Sequence, residues 1–203
     1  MNSRATRIFG LITIAAALYW LAVIVAMHLL EPEFSPIKVP MSAYVSGVYG
    51  GWMTTSFFAL ASALLGAAFG LMKSLSRQVL AWIAFLLFIV AAVGVVLGGL
   101  FPGIIRAPSA AHWHGRGGLL AFPSMTVGPF LFSLCFCFDR EWRQISVPAL
   151  IFASAVLLVH FLRLSGTVTD FAGLMQRLFF AGLIPWLLLV GLQLIRRDRR
   201  SPQ

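Results

Sequence analysis

The chain has 203 residues, of which 60% are hydrophobic and only 10% charged, whereas a soluble domain carries about a quarter charged residues. This composition excludes an ordinary soluble domain and predicts an all-α integral membrane protein, because apolar stretches of roughly 20 residues belong in a bilayer. The net charge of +9 sits at the ends of apolar runs rather than along one exposed stripe, which argues against nucleic acid as a partner.

Residues 1–9 are short and polar, with Arg4 and Arg7, and the first apolar run covers residues 8–30. The hydrophobic region of a signal peptide is only about 7–15 residues long, so this run reads as a retained membrane helix. A loop punctuated by Pro32, Pro36 and Pro40 favours extended backbone. It leads to a second span over about residues 49–72. Lys73 and Arg77 mark the next loop, before a third span over 79–101. Gly66 and Gly70, and again Gly94 and Gly98, repeat a four-residue spacing of small side chains that lets helix backbones approach closely. On adjacent antiparallel helices the two pairs fall at opposite depths and predict different neighbours, within the bundle or in a second membrane protein.

A fourth span over 115–138 carries Pro123, Gly128 and Pro129, with Ser124 and Thr126 between them. Proline removes a backbone donor and crowds the preceding turn. This helix is therefore expected to kink or open, inside protein or beside a wet cavity. A fifth span follows over 146–164, with Pro148 near its tolerant first turn. Thr169 or Asp170 is the expected N-cap of a sixth span over 171–195, which Pro185 should kink, and a basic tail covers 196–203. Cys135 and Cys137 lie two apart on one helix, point to different sides, and read as packing residues.

The whole chain, 1–203, thus reads as a single membrane domain, a six-transmembrane-helix bundle. Lys and Arg gather on the cytoplasmic side of membrane proteins. Ten of the 15 Lys and Arg residues fall on the amino terminus, the second and fourth loops and the tail, which puts both termini in the cytoplasm.

That topology gathers the polar side chains in the outer half. His28 ends the first helix, His112 and His114 precede the fourth, and His160 ends the fifth. Glu31, Glu33, Arg106, Arg116, Arg163, Asp170, Gln176 and Arg177 fall in the same layer. A wet rim accounts for much of this, since amphipathic side chains suit an interface. Arg177 asks for more. It lies two turns past Asp170, about 10 Å into the membrane by helical rise. An unpaired arginine at depth costs a few kcal/mol, so it must snorkel, pair or face a cavity. A structural Asp170–Arg177 link and an anion-binding role stand side by side. His160 and Arg163, three apart on one helical face, could join the same cluster.

His112, Trp113 and His114 raise the question of a metal ion. Histidines two apart share a side only in extended backbone, and zinc takes three or four ligands. His160, His28, Glu31 or Asp170 would complete the set with His112 and His114. No other cofactor is expected; haem needs axial ligands facing each other inside the bundle, and these histidines lie at its edge. The third span has no ionisable side chain and no acid lies at a helix centre, which disfavours a proton- or sodium-coupled carrier. No phosphate loop, nucleotide fingerprint or serine-nucleophile elbow is present.

Four segments in order, MSAYVSGVYGGWM (41–53), GLFP (99–102), HG (114–115) and GLMQRL (173–178), resemble domain-of-unknown-function family 998. The resemblance runs from the first outer loop to the last helix. It implies a multi-spanning bacterial or archaeal membrane protein without assigned activity, hence a prokaryotic plasma membrane. It also points to Ser42, Tyr44, Gly47, Tyr49, Gly50, His114, Gly173, Gln176 and Arg177. This chain departs from the family pattern at Ala43, where an acidic residue is common, and at Gly103 and Ile104, where an aspartate tends to stand.

Three functional readings follow. In the first, an outward-facing polar basin binds a small anionic or lipid-derived ligand through Ser42, Tyr44, His112, His114, Arg116, His160, Arg163, Gln176 and Arg177. In the second, a membrane-embedded hydrolase or transferase acts on lipid headgroups, with His114 as general base or metal ligand and Asp170 as its partner. In the third, the chain is a non-catalytic assembly partner that packs through its glycine faces.

Overall fold

A computed structural model describes residues 3–76, 79–101 and 108–198. Six helices, α1 (Ser3–Leu30), α2 (Gly50–Ser74), α3 (Val79–Leu100), α4 (Pro108–Phe138), α5 (Arg143–Leu164) and α6 (Ala172–Asp198), contain six segments long and apolar enough to cross a membrane. Each packs on the next in sequence, and α6 closes the ring against α1 while also reaching α2. The up-and-down path brings the start of α1, the end of α6 and the α2–α3 and α4–α5 connections to one end of the bundle. The α1–α2 connection and the α5–α6 turn lie at the other, here called the loop end.

Glycines set how closely the helices approach. A Cβ on Gly94 would stand 2.6 Å from the Gly117 carbonyl oxygen, and a Cβ on Gly117 equally close to that of Gly94, so α3 and α4 meet backbone to backbone. Gly66 lies against Phe9 and Thr13 of α1, and Gly70 against Phe9 and Leu194. The two spaced glycine pairs do face different neighbours. Both are buried inside the bundle, so neither face is offered to a second chain. Where hydrocarbon surrounds the protein, such van der Waals fit replaces the hydrophobic effect as the force holding helices together.

The half of the bundle nearer the chain ends is an aromatic core. Phe88, Phe132, Phe136, Trp142 and Trp186 are fully buried, with Phe136 and Trp142 stacked at 4.7 Å between centroids. Trp186 Nε1 donates to Ser133 Oγ at 2.9 Å, and that hydroxyl donates onward to the Pro129 carbonyl at 2.7 Å. Arg197 then ties the chain ends together. It donates to the Ser74 carbonyl at 2.7 Å and pairs with Glu141.

Several sequence expectations change here. Helix α4 begins at Pro108 rather than near residue 115, because a proline at the first helical position is pre-set for helix and no glycine or proline stands between it and Gly115. It then runs without interruption through Pro123 and Pro129 instead of opening. The hydroxyls of Thr126 and Ser133 bond back to the carbonyls of Phe122 and Pro129. Residues 196–198 of the expected tail continue α6. Arg77, Pro102, Gly103, Ile104, Arg106, Arg199 and Arg200 lie outside the described residues.

Candidate functional site

The connection between α1 and α2 is a strap laid over the start of α6. The extended backbone expected of its prolines gives way to two turns, closed by the Phe34 amide on the Glu31 carbonyl at 3.2 Å and the Val39 amide on the Ser35 carbonyl at 2.9 Å, before a 3-10 segment at Met41–Ser46; α6 offers the strap a docking face. Gly173 has no side chain to exclude it: a Cβ there would lie 2.5–2.9 Å from the carbonyl oxygens of Val39, Pro36 and Ile37. The first turn of a helix has amide groups with no partner of their own. The Leu174 amide donates to the Ile37 carbonyl at 2.9 Å, so a strap carbonyl does the work expected of a Thr169 or Asp170 cap. Those two residues form instead a short 3-10 turn, Thr169–Phe171. Gln176 Oε1 accepts the Met41 amide at 2.6 Å.

Arg177 fastens the same strap. Its Nε donates to His28 Nε2 at 2.7 Å, its Nη1 to the carbonyls of Val39 and Gly173 at 3.0 Å each, and its Nη2 to the Tyr44 hydroxyl at 3.1 Å. A guanidinium has five N–H groups, so four are committed to protein acceptors. His28 Nδ1 lies 2.6 Å from the Ile24 carbonyl. A carbonyl only accepts, so Nδ1 carries the proton and Nε2 receives Arg177 as a neutral imidazole. Tyr44 is buried between His28 and Phe34, with ring centroids 5.5 and 5.4 Å away. The Asp170–Arg177 link expected from the sequence is absent: Asp170 is exposed, and the acceptors around Arg177 come from α1, the strap and its own helix.

The strap's far end is held by Glu31. This buried carboxylate accepts the Tyr49 amide at 2.7 Å, at the amino end of α2, where a negative charge meets the positive end of the helix dipole. A Cβ at Gly47 would collide with it.

Beneath the strap, inside the ring, is a cavity of about 60 Å³. Its walls are mostly apolar: Trp20, Met41, Met53, Phe57, Met125 and Phe180. Glycines at 94, 98, 117 and 118 complete its wall on α3 and α4. Three uncharged polar groups also line it, from Ser42, His114 and Gln176. His114 Nδ1 lies 3.2 Å from the Gly98 carbonyl, which leaves its Nε2 as an acceptor. A second space, an apolar crevice of about 260 Å³ between α1 and α6, is lined by Leu21, Ile24, Ile184, Pro185 and Leu188, with Arg177 among its walls. Trp20, Met41 and Phe180 line both spaces.

The single basin expected from the sequence therefore divides. Tyr44, Gln176 and Arg177 belong to the strap joint, with Gln176 also reaching the cavity beside Ser42 and His114. His160 and Arg163 sit on α5, against Phe179 and Phe122 respectively. His112 is exposed, and so is Arg116, which lies over the Trp113 ring at 4.9 Å. The helix that now includes His112 and His114 turns them to different sides, and no group of three His, Cys, Asp or Glu side chains suited to a metal occurs among the described residues. His114 bonds the Gly98 carbonyl, and Asp170 lies in an exposed turn before α6. Sequence reasoning missed Glu31 and His28 as strap fasteners and missed the cavity; the signal for the latter was Gly117, which faces Gly94 and Gly98.

A family model described as protein of unknown function (DUF998) matches residues 14–193. No curated protein and no solved structure matches the chain.

Proposed function

Because this chain belongs to the DUF998 family, whose description assigns no activity, we propose its function from geometry: it binds an uncharged, lipid-derived molecule in the cavity beneath the strap. The observation that carries this reading is the convergence of three neutral polar groups, from Ser42, His114 and Gln176, on a space otherwise walled by methionine, aromatic rings and glycine. At about 60 Å³ the cavity has room for a small head group only, and a few polar contacts suffice to orient such a group. An anion is a poorer fit there, because the cavity presents no formal charge and Arg177 is committed elsewhere. A hydroxyl or carbonyl head would bond Gln176 and Ser42. The apolar remainder would pass the Trp20, Met41 and Phe180 side chains into the crevice between α1 and α6, which faces the bilayer. In this reading the protein lies in a prokaryotic plasma membrane with both termini cytoplasmic and the strap outside, as the distribution of Lys and Arg favours.

The test is a variant that fills the space. A Cβ on Gly118 would meet only Phe122, at 3.9 Å, so Gly118→Leu enters the cavity without a backbone collision. Monoacylglycerols and fatty alcohols should raise the unfolding temperature of the purified chain, by the equivalent of about 2.7 kcal/mol at a hundredfold excess over Kd. Gly118→Leu should fold and lose that response. Equal stabilisation of both proteins would overturn the proposal.

A further inference from the structure

Arg177 and Arg163, both at the loop end of the bundle, have opposite fates. Arg177 is surrounded by acceptors. Arg163, in the last turn of α5, has none among the described residues: its Nη1 is buried without a hydrogen-bond partner, and its guanidinium lies 4.3 Å from the centre of the Phe122 ring. His28 and His160 differ in the same way. His28 Nδ1 has the Ile24 carbonyl, whereas His160 Nδ1 is buried with no partner. His160 and Arg163 are three apart, on one face of the helix, so two partnerless N–H-bearing groups stand side by side. Buried donors are ordinarily satisfied, and a positive charge at a membrane helix end needs an anion, water or an interface.

Where this face sits indicates what satisfies it. Helix α5 has 22 residues, about 33 Å at helical rise, enough to carry its last turn to the headgroup layer beyond the roughly 30 Å hydrocarbon slab. It is the least enclosed of the six, with 28% of its span buried against 61% for α6. Phe161 and Leu164, beside Arg163, are 69% and 70% exposed. They offer an acyl chain an apolar surface next to the cation. Phe122 lines the central cavity, whereas Arg163 and His160 are not among that cavity's lining residues, making this a separate site.

We propose that Arg163 and His160 bind a phosphate monoanion, carried by the headgroup of an anionic phospholipid in the leaflet at the loop end. Arginine matches phosphate oxygens with paired N–H groups, and the His160 N–H adds a third donor from the turn before.

The test uses the full chain purified in detergent, with phosphatidylglycerol, phosphatidylcholine or inorganic phosphate added, read by native mass spectrometry and unfolding temperature. Phosphatidylglycerol should bind and stabilise the wild type more than phosphatidylcholine does. Arg163→Gln should weaken phosphatidylglycerol binding at least about tenfold, the loss expected for a charged hydrogen bond, with phosphatidylcholine binding unchanged and Arg163→Lys restoring part of it. If Arg163→Gln fails to fold, His160→Phe, which keeps a ring against Phe179, is read in its place and should weaken phosphatidylglycerol binding severalfold. Stabilisation by inorganic phosphate alone, with nothing added by the lipid, would overturn the lipid as source. Indistinguishable binding of the two lipids, or wild-type binding by the variants, would overturn the site.

Discussion

Arg177 and His28 lie 149 positions apart in sequence and are joined by a 2.7 Å hydrogen bond, Nε to Nε2. The bond locks the last helix to the first across the strap. Replacing His28 with Leu leaves a partly buried guanidinium N–H without its acceptor, and hydrogen bonds to charged groups contribute about 1.5–3 kcal/mol. Unfolding of His28→Leu in detergent should show a loss of that size. Arg177→Met, which removes four bonds at once, should lose more and should open the strap between residues 31 and 49 to protease. Unchanged cleavage in Arg177→Met would mean that the strap is held some other way.

Gly173 and Gly115 make a matched pair of helical glycines with opposite expectations. Gly173→Ala must push three strap carbonyls aside, and the expected destabilisation is about 1–3 kcal/mol, in the usual range for strained substitutions. Gly115 has nothing within 4 Å of where its Cβ would stand. Gly115→Ala should be neutral or stabilising by up to about 1 kcal/mol from helix propensity alone. Thermal unfolding of the two variants side by side checks both signs.

Much of the architecture was legible in the sequence because membrane insertion makes a simple demand, an apolar run long enough to cross. The spans near 49–72 and 79–101 are found close to where hydropathy puts them. The start of α4 was not legible: residues 108–114 are too polar to look like a span, yet nothing in them prevents helix. The site was harder still. Arg177 stood out as a cation at depth, but its partners, His28, Val39 and Tyr44, are brought to it by chain path rather than by any local spacing. Asp170, the nearest carboxylate in sequence, was the natural guess, and tertiary contacts overrode it. The motif segments around Met41–Met53 and Gly173–Leu178 turn out to be the two halves of one joint, a relation invisible until the strap is laid over α6.

Ser133 and Trp186 couple α4 to α6 through the 2.9 Å bond from the indole N–H. Ser133→Ala should cost about 1–3 kcal/mol, since a buried donor is left unmet. Adding Trp186→Phe removes that donor, so the double variant should lose less than the two single losses summed. A double-mutant cycle by chemical denaturation measures the coupling. Strict additivity would show that the bond contributes nothing net.

Because α1 and α6 are neighbours in the ring, the fold cannot close until its final segment is in the bilayer. Chains are made from the amino end, so His28, Val39 and Tyr44 leave the ribosome more than a hundred residues before the arginine that gathers them. Throughout that interval the strap lacks the α6 face on which it docks, and assembly of the loop end becomes the last act of biosynthesis. A nascent chain halted before α6 would thus leave its first loop undocked and the flank of α1 that α6 covers exposed.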